Sequence, residues 1–332
     1  MGDPGTSEPR VGMAVAAPHS AADITVVIPA YQRAATVARA VESALGQVPA
    51  APSVVVVDDG STDGTDGILR GFGDRIVAIH QANAGVSTAR NAGIARVRTP
   101  WVAFLDSDDA LHPGALAAAC EAIEGPREAC LFSAAVHEDD EPTGETMSKP
   151  TPGDRYTLAS LLGPDEAYAL PCGVFPLDQV QALGGFDARV NGSEDYVLLL
   201  RLAARGIGLR ILREPLFDKE EGGGPRLSVD EVQVLRNKLA ALEVFRELEP
   251  TASRVHRSLL RAREGRYLAR IGRKIPALDP ARGGVEEESR VPARTLLRAW
   301  TRRPLALDVL GQGLFAYAAP RRFHRWRSGR AS

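Results

Sequence analysis

The sequence predicts an α/β protein in which helices cover both faces of a mainly parallel sheet. Short β-branched runs alternate with segments of helical apolar spacing from residue 24 to residue 136, and this alternation is typical of βα units with right-handed crossovers. Residues 54–57 are four valines, and an unbroken apolar run indicates a strand that is buried on both faces. Ligands of such sheets bind beyond the carboxyl ends of the strands, so we expect the functional site at that edge.

The individual elements follow from the same patterns. In the first part of the chain they are strand 24–28, helix 34–45, strand 54–57, helix 65–72, strand 76–79, helix 87–95, strand 101–105, helix 113–123 and strand 130–136. Acidic residues, prolines and glycines between 138 and 154 predict a long exposed loop. Periodicity returns at 158–162, 169–175, 177–183, 196–205 and 209–212, and it completes a domain that ends near 218.

We therefore divide the chain into four parts. Residues 1–22 have the composition of an unpacked leader, and 23–218 form the α/β domain. Residues 219–228 contain three consecutive glycines and predict a flexible linker. Residues 229–332 predict a basic extension whose apolar residues recur at helical spacing over 229–248 and 255–271.

Composition excludes several classes of protein. The 332 residues include 40 Lys and Arg against 42 Asp and Glu, for a net charge of −2, and this balance argues against a nucleic-acid partner. The three cysteines are too few for a disulfide framework, so we expect small core residues in a reducing compartment. We find neither an apolar run of membrane-spanning length nor the pattern of a signal peptide. These features predict a cytoplasmic protein.

The first acidic cluster, Asp58-Asp59-Gly60-Ser61-Thr62-Asp63-Gly64, directly follows the four valines. It resembles a calcium loop only superficially, because position 12 is Arg70 where that loop needs a bidentate Glu. Two interpretations remain. The aspartates either cap the next helix in a glycine-rich turn, or the first carboxylate faces a ligand.

The second cluster, Asp106-Ser107-Asp108-Asp109, ends the strand 101–105. Carboxylates at a strand end that turns into a loop can converge on one hard cation, Mg²⁺ or Mn²⁺, which keeps positions for phosphate oxygens. The alternative is a cap and dipole partner for the helix that begins near Pro113. His112 follows the cluster by three residues and could reach the surroundings of such a metal.

The third cluster, Ser193-Glu194-Asp195, opens the predicted helix 196–205. Ser193 is a natural N-cap, and acids in a first helical turn are stabilised by the macrodipole. The functional alternative is a carboxylate, held at a rigid helix start, that accepts a proton from an incoming hydroxyl.

Together these segments closely resemble family 2 glycosyltransferases over about residues 23–218. The blocks that carry the resemblance are Ile28-Pro29-Ala30-Tyr31-Gln32-Arg33, Val57-Asp58-Asp59-Gly60-Ser61-Thr62-Asp63-Gly64-Thr65, Asn83-Ala84-Gly85-Val86-Ser87-Thr88-Ala89-Arg90-Asn91-Ala92-Gly93, Phe104-Leu105-Asp106-Ser107-Asp108-Asp109, and Gly184-Gly185-Phe186-Asp187 with Glu194-Asp195. Each block alone is weak evidence, but five in this order are specific. The resemblance implies the GT-A fold, a Rossmann-like three-layer αβα domain with a mixed, mainly parallel sheet. It also implies sugar transfer with inversion.

The resemblance further implies roles for individual residues. It implies a donor-nucleotide site made of Pro29, Ala30, Tyr31, Arg33, Asp58, Arg90, Asp106 and Ser107. In this site a flat Tyr ring suits a nucleobase. A carboxylate at Asp58 would accept the N3–H of uracil or thymine, which cytosine lacks. Arg90 would meet the base or the diphosphate.

The metal and the catalytic base are implied in the same way. Asp108, with Asp106, would hold Mg²⁺ or Mn²⁺ on the diphosphate. The second acid of the Glu-Asp pair is usually the base, so we expect Asp195 in that role, with Glu194 as the alternative. Two positions depart from the family pattern. Gln32 stands where Asn is common, and residues 217–221 replace a diphosphate-closing loop, so that Lys219 or Arg226 would have to substitute.

The expected partners are a UDP- or dTDP-sugar and a glycan, lipid-linked or small-molecule acceptor. Residues 298–332 contain eight arginines interleaved with aromatics, which suits either a helix at an anionic membrane surface or an appendage that packs on the domain or on a second subunit of a homodimer. Two other functions stay open. One is a non-catalytic nucleotide-sugar binder, and the other is a sugar nucleotidyltransferase, although residues 29–31 supply no phosphate-cradling loop.

Overall fold

A computed structural model describes residues 16–49, 52–138, 141–147, 154–163, 172–190, 192–221 and 231–274. One ten-stranded sheet forms its centre, in the order β3-β2-β1-β4-β9-β6-β10-β5, with β7 beside β6 and β8 beside β10. The strands are β1 Ile24–Ala30, β2 Ser53–Asp58, β3 Val77–His80, β4 Trp101–Phe104, β5 Ala110–Leu111, β6 Glu128–Glu138, β7 Glu141–Met147, β8 Arg155–Tyr156, β9 Gly173–Pro176 and β10 Gly208–Glu220.

Helices cover both faces of this sheet. They are α1 Val37–Leu45, α2 Thr65–Gly71, α3 Val86–Ile94, α4 Ala115–Ala122, α5 Leu158–Leu161, α6 Leu177–Ala182, α7 Glu194–Ala204, α8 Glu231–Leu248, α9 Pro250–Val255 and α10 Arg257–Lys274. Along β2, Val55 and Val57 belong to one apolar core and Val54 and Val56 to the other. Successive strand residues point to opposite faces, so the four valines bury both, and the predicted three-layer α/β fold is confirmed.

The direction of the strands determines where the site lies. β2, β1 and β4 pair in parallel, and β3 extends them in the same direction. Their carboxyl ends therefore share one edge of the sheet, where the loops after residues 30, 58, 80 and 104 lie side by side. β9 then runs antiparallel between β4 and β6, which makes the sheet mixed, as the resemblance implies.

The structure adds the short elements β5, β8 and α9 to the sequence-based set, and it differs in three other regions. Residues 141–147 form β7, which pairs with β6, where we expected a continuous loop. Strand 209–212 extends to Glu220, because β6 on one side and β5 and β8 on the other supply backbone partners. Part of the expected leader packs on the domain, since the Trp101 indole N–H donates to the Ala16 carbonyl at 3.1 Å. Residues 1–15 lie outside the described residues.

The C-terminal helices share a core with the sheet. Leu235, Leu242 and Phe245 of α8 and Tyr267 of α10 are buried in the same apolar cluster as Val27 of β1. Cys130 and Cys172 are buried free thiols, as expected, while Cys120 is half-buried. In the described part of the chain, no helix has the length and apolar character needed to cross a bilayer. The basic stretch 298–332 lies outside the described residues, so its two interpretations stay predictions.

Candidate active site

Asp58 ends β2 with its side chain almost fully buried, at 1% exposure. The Ser61 backbone N–H donates to its Oδ1 at 3.0 Å, and His80 Nδ1 lies 2.8 Å from its Oδ2. His80 ends the adjacent strand β3, and its side chain is 57% exposed. The carboxylate is thus fixed at the sheet edge beside an imidazole that faces outward.

Asp59 was not among the predicted site residues, yet its carboxylate accepts three hydrogen bonds. The Gln81 side-chain amide donates to its Oδ1 at 2.7 Å, and the backbone N–H groups of Ala84 and Gly85 donate to its two oxygens at 2.9 and 2.8 Å. Asp59 therefore fixes the loop that leads into α3. The available signal was the pair of adjacent acids at a strand end, since successive residues face different neighbours.

The loop after β1 lies against the loop after β2. Pro29 and Ala30 are buried, whereas Tyr31 is 48% exposed. The Gln32 backbone N–H donates to Ser61 Oγ at 2.9 Å, and the Gln32 side-chain oxygen accepts from the Thr62 N–H at 2.8 Å. Gln32, where the family commonly has Asn, thus joins the two loops and leaves the Tyr31 ring at the surface.

The acidic cluster after β4 forms a compact group. Asp106, Asp108 and Asp109 offer carboxylate oxygens within 4.8 Å of one another, and Ser107 is buried between them in sequence. Asp109 Oδ1 accepts the Glu220 N–H at 3.1 Å, whereas its buried Oδ2 has no hydrogen-bond partner. Three converging carboxylates with one unsatisfied oxygen are a donor set that fits a hard divalent cation.

Burial and neighbouring charges shift the pKa values of Asp106 and Asp109 in opposite directions. Burial, reinforced by Asp106 and Asp108 and opposed by Lys219, raises the pKa of Asp109 to about 8. Desolvation is the largest single effect on Asp106 and disfavours its charge. The positive charges of Arg90, Lys219 and Arg33, together with the hydrogen bond from Arg90, outweigh it and hold the pKa of Asp106 below its ordinary value. Arg33 lies 3.3 Å from Asp108 Oδ2, so the β1 loop also contacts the cluster.

Arg90 of α3 is buried, with a side-chain exposure of 4%. Its Nη2 donates to Asp106 Oδ1 and its Nη1 to Glu194 Oε1, both at 2.7 Å, and its guanidinium lies 5.1 Å from the centre of the Phe186 ring. Two carboxylates thus hold Nη1 and Nη2, whereas the buried Nε has no hydrogen-bond partner. The implied contact of Arg90 with the base or the diphosphate stays a prediction. Arg90 joins the acidic loop to the start of α7.

The two acids at the start of α7, Glu194 and Asp195, differ in burial and in hydrogen-bond partners. Glu194 is buried and also accepts the Gly192 N–H at 2.8 Å. Asp195 is half-buried, and its Oδ1 accepts the backbone N–H of the next residue, Tyr196, at 2.7 Å. Burial, with the Glu194 charge as the next cause, raises the pKa of Asp195 to about 7. Ser193 does not cap the helix through its side chain; its hydroxyl donates to the Gly192 carbonyl at 2.6 Å.

His112 contacts Asp218, an acid outside the Asp106–Asp109 cluster. Its Nε2 lies 2.7 Å from Asp218 Oδ1 and its Nδ1 3.0 Å from the Pro215 carbonyl. His137 contacts the same Asp218 oxygen at 3.1 Å. These contacts tie the β5 region to β10. The adjacent Lys219 is close enough to the acidic loop that its charge helps to lower the pKa of Asp106 and opposes the rise in the pKa of Asp109. Arg226 lies outside the described residues.

The family assignment rests on residues 25–175, which match the domain model "Glycosyl transferase family 2". These residues form a family 2 glycosyl transferase domain. The matched span contains Asp58, Arg90, Asp106 and Asp108, and it ends before Glu194 and Asp195. The structure therefore brings the α7 acids to the family 2 domain from outside the matched span, through Arg90.

Relatives match parts of the chain. The succinoglycan biosynthesis protein ExoO of Rhizobium meliloti (strain 1021) is 45% identical over 97 residues, which are 28% of this chain and 28% of ExoO. The chondroitin synthase of Pasteurella multocida (strain Pm70) is 26% identical over 187 residues, which are 55% of this chain and 19% of the synthase. The match thus spans less than a third of each relative.

Solved structures extend the likeness in fold to nearly the whole chain. TarS 1-349 of S. aureus superimposes with a TM-score of 0.62 at 16% identity, covering 92% of this chain and 91% of that one. The same TarS fragment in complex with UDP-GlcNAc superimposes with a TM-score of 0.55 at 15% identity, covering 89% and 91%. At this identity the likeness concerns the fold, which is GT-A-like.

Proposed function

We propose that this protein transfers a sugar from a UDP- or dTDP-sugar to an acceptor hydroxyl, with inversion at the anomeric carbon. The observation that carries the proposal is the double contact of Arg90 with Asp106 and Glu194. It places the acidic loop of the family 2 domain beside the helix start that holds Asp195. Such an arrangement suits a donor diphosphate on one side of the cleft and a base on the other.

The donor nucleotide would bind across the loops after β1 and β2. Tyr31 offers an exposed ring on which a base can lie. Asp58 offers carboxylate oxygens that are already oriented by Ser61 and His80, and a carboxylate can accept the uracil N3–H. The TarS fragment with UDP-GlcNAc has the same fold, which supports a uridine donor here.

Asp106 and Asp108 would hold Mg²⁺ or Mn²⁺, with Asp109 as a further oxygen donor. Such an ion, when bound, neutralises the negative charge that develops on the departing diphosphate. Arg33 and Arg90 keep Asp108 and Asp106 in place through their ion pairs. Lys219 supplies an additional positive charge near this group, which supports the hypothesis that it substitutes for the diphosphate-closing loop.

Asp195 is the better candidate for the base. Glu194 is committed to Arg90 and to the Gly192 N–H, while Asp195 is bound only by a backbone N–H one residue away. A carboxyl group with a pKa of about 7 can take a proton near neutral pH more readily than one with an ordinary pKa. As Asp195 takes that proton, the acceptor oxygen would attack the anomeric carbon and the nucleoside diphosphate would leave from the opposite face.

The acceptor of the transferred sugar in this proposal is a glycan. The relatives named for succinoglycan biosynthesis and chondroitin synthesis support a glycan acceptor. We also propose that residues 23–218, the linker 219–228 and the helical extension act together in the cytoplasm, with peripheral membrane contact and homodimer formation as predictions of the basic C-terminal stretch.

The replacement Asp195→Asn tests the proposal. Asn keeps the size of the side chain but cannot take the proton, so we expect transfer to fall by roughly 10²-fold or more. The thermal shift produced by UDP with Mn²⁺ should persist. Wild-type protein that binds UDP-GlcNAc but neither transfers nor hydrolyses it would instead indicate a non-catalytic binding protein, and normal turnover by the variant would exclude Asp195 as the base.

A further inference from the structure

A cleft of about 710 Å³ lies among α8, α9 and α10, and its lining residues do not include those of the acidic loop. Four arginines line it, Arg246, Arg254, Arg257 and Arg261, together with Pro250, Ser253, Leu260 and Glu264. Glu264 is the one acid of this lining; it is buried and forms an ion pair with Arg246. The remaining three guanidinium groups give the cleft a strong positive charge, although the whole chain carries a net charge of −2.

Two other arginines of α10, Arg263 and Arg266, bind backbone carbonyls instead of lining the cleft. Arg263 donates to the Gly163 carbonyl at 2.8 Å, and Arg266 donates to the carbonyls of Leu162 and Gly163 at 3.1 and 2.5 Å. These contacts attach α10 to the end of α5. Arg257 and Arg261 face the cleft instead, and within the described part of the chain neither forms a hydrogen bond or an ion pair.

The spacing of the cleft arginines adds electrostatic repulsion. Arg257 and Arg261 lie four residues apart on α10, so helical geometry puts them on one side of that helix. Arg254, near the end of α9, lines the same cleft. Like charges at this spacing repel one another, and the carbonyl of Pro250, which accepts from Arg254 at 3.4 Å, supplies only a weak partner. A bound anion would remove this repulsion and satisfy several donors together.

We propose that this cleft binds phosphate-type oxyanions, presented by a phosphate-bearing molecule or surface. Planar guanidinium groups match tetrahedral oxyanions through paired N–H donors, and the Ser253 side chain adds a hydroxyl to the lining. The volume exceeds what a single phosphate fills and lies within the range of ligand clefts. This site is separate from the proposed donor site and does not depend on the transfer reaction.

The test compares wild-type full chain with the double variant Arg257→Gln/Arg261→Gln in calorimetric titrations with sodium tripolyphosphate, without metal. We expect the variant to bind at least about tenfold more weakly, because two charge-assisted donors are lost. The control Arg236→Gln removes an exposed positive charge on α8 outside the cleft and should bind as the wild type does. The single variant Arg254→Gln should fall between them.

Flotation with vesicles identifies the source of the phosphate. Vesicles of phosphatidylcholine alone are compared with vesicles that also contain phosphatidylglycerol. Loss of anionic-vesicle binding in the double variant, together with weaker tripolyphosphate binding, makes lipid headgroups a source; weaker tripolyphosphate binding with unchanged flotation makes the source a soluble phosphate-bearing molecule. If the double variant equals wild type in both measurements, the proposed site is wrong.

Discussion

Arg90 Nη1 lies 2.7 Å from Glu194 Oε1, although 104 residues separate the two in sequence. The contact crosses the boundary at which the family 2 match ends, and it occupies the first acid of the α7 pair. Asp195, the second acid, accepts a hydrogen bond from the Tyr196 backbone N–H and has no cationic side-chain partner among the described residues. The ion pair thus makes Glu194 a positioning carboxylate, whereas Asp195 can exchange a proton.

Replacing Arg90 by Met should destabilise the protein by roughly 3 kcal/mol, because Asp106 and Glu194 would lose a buried cation while keeping their charges. Chemical denaturation measures this change in the free energy of unfolding. Arg70→Met is the control, since its ion pair with Asp66 lies on an exposed helix face. Equal stabilities of the two variants would contradict the structural role of Arg90.

The pH dependence of transfer should report Asp195. A base works in its deprotonated form, so a pKa of about 7 predicts that kcat/KM falls as the pH is lowered through 7. Glu194→Gln removes the neighbouring negative charge that helps to raise this pKa, so the acidic limb of the profile should move to lower pH. The profiles are measured under subsaturating donor. A limb that stays in place, or moves to higher pH, would refute the assignment.

Removing one carboxylate of the acidic loop should weaken the binding of the metal ion. Asp108→Asn keeps the volume of the side chain but lowers its charge, so we expect roughly 10-fold or more Mn²⁺ to be needed for half-maximal activity. The control Asp74→Asn changes an exposed acid that belongs to neither of the two groups of residues that could hold a metal ion in the described part of the chain. Activity of the Asp108 variant that is independent of Mn²⁺ concentration would argue against a metal at this loop.

The fold was predictable because its signals are local. The four valines of β2, the glycine-rich turns and the alternating βα pattern each report burial or backbone conformation within a few residues. The pairing of residues 213–220 with β6 was not predictable, since Arg213, Glu214 and Pro215 interrupt the apolar pattern. That register depends on partners more than seventy residues away.

The site was predictable to the level of residue types, but its contacts were not. Acids at strand ends marked the correct edge of the sheet, whereas the burial of Arg90 between Asp106 and Glu194 depends on how α3 and α7 pack. The same limit applies to Asp59, whose three donors come from the loop before α3. Sequence spacing carries no information about such long-range pairing.

The specificity of the protein for the nucleobase of its donor should depend on Asp58. In Asp58→Asn the amide can rotate to present a donor as well as an acceptor, so the preference for UDP over CDP should fall by roughly tenfold or more. Competition by each nucleotide against the donor sugar measures the ratio. The control His80→Gln keeps a polar partner near Asp58 and should retain the preference. If Asp58→Asn keeps the wild-type preference for UDP over CDP, the nucleobase binds elsewhere.

Gly60 should tolerate no side chain. Its φ of +82° lies in the left-handed region, and an added Cβ would lie 2.8 Å from the Asn83 backbone nitrogen. The added Cβ would also lie 3.2 Å from the Gln81 carbonyl oxygen. Because both neighbours are backbone atoms, Gly60→Ala should lower the free energy of unfolding by roughly 2 kcal/mol and weaken donor binding by moving the loop after β2 away from the loop after β3. Gly67→Ala, on open α2 surface, should be neutral or stabilising by about 0.5–1 kcal/mol. Urea denaturation of both variants checks this, and equal effects would show that the two loops do not approach each other closely.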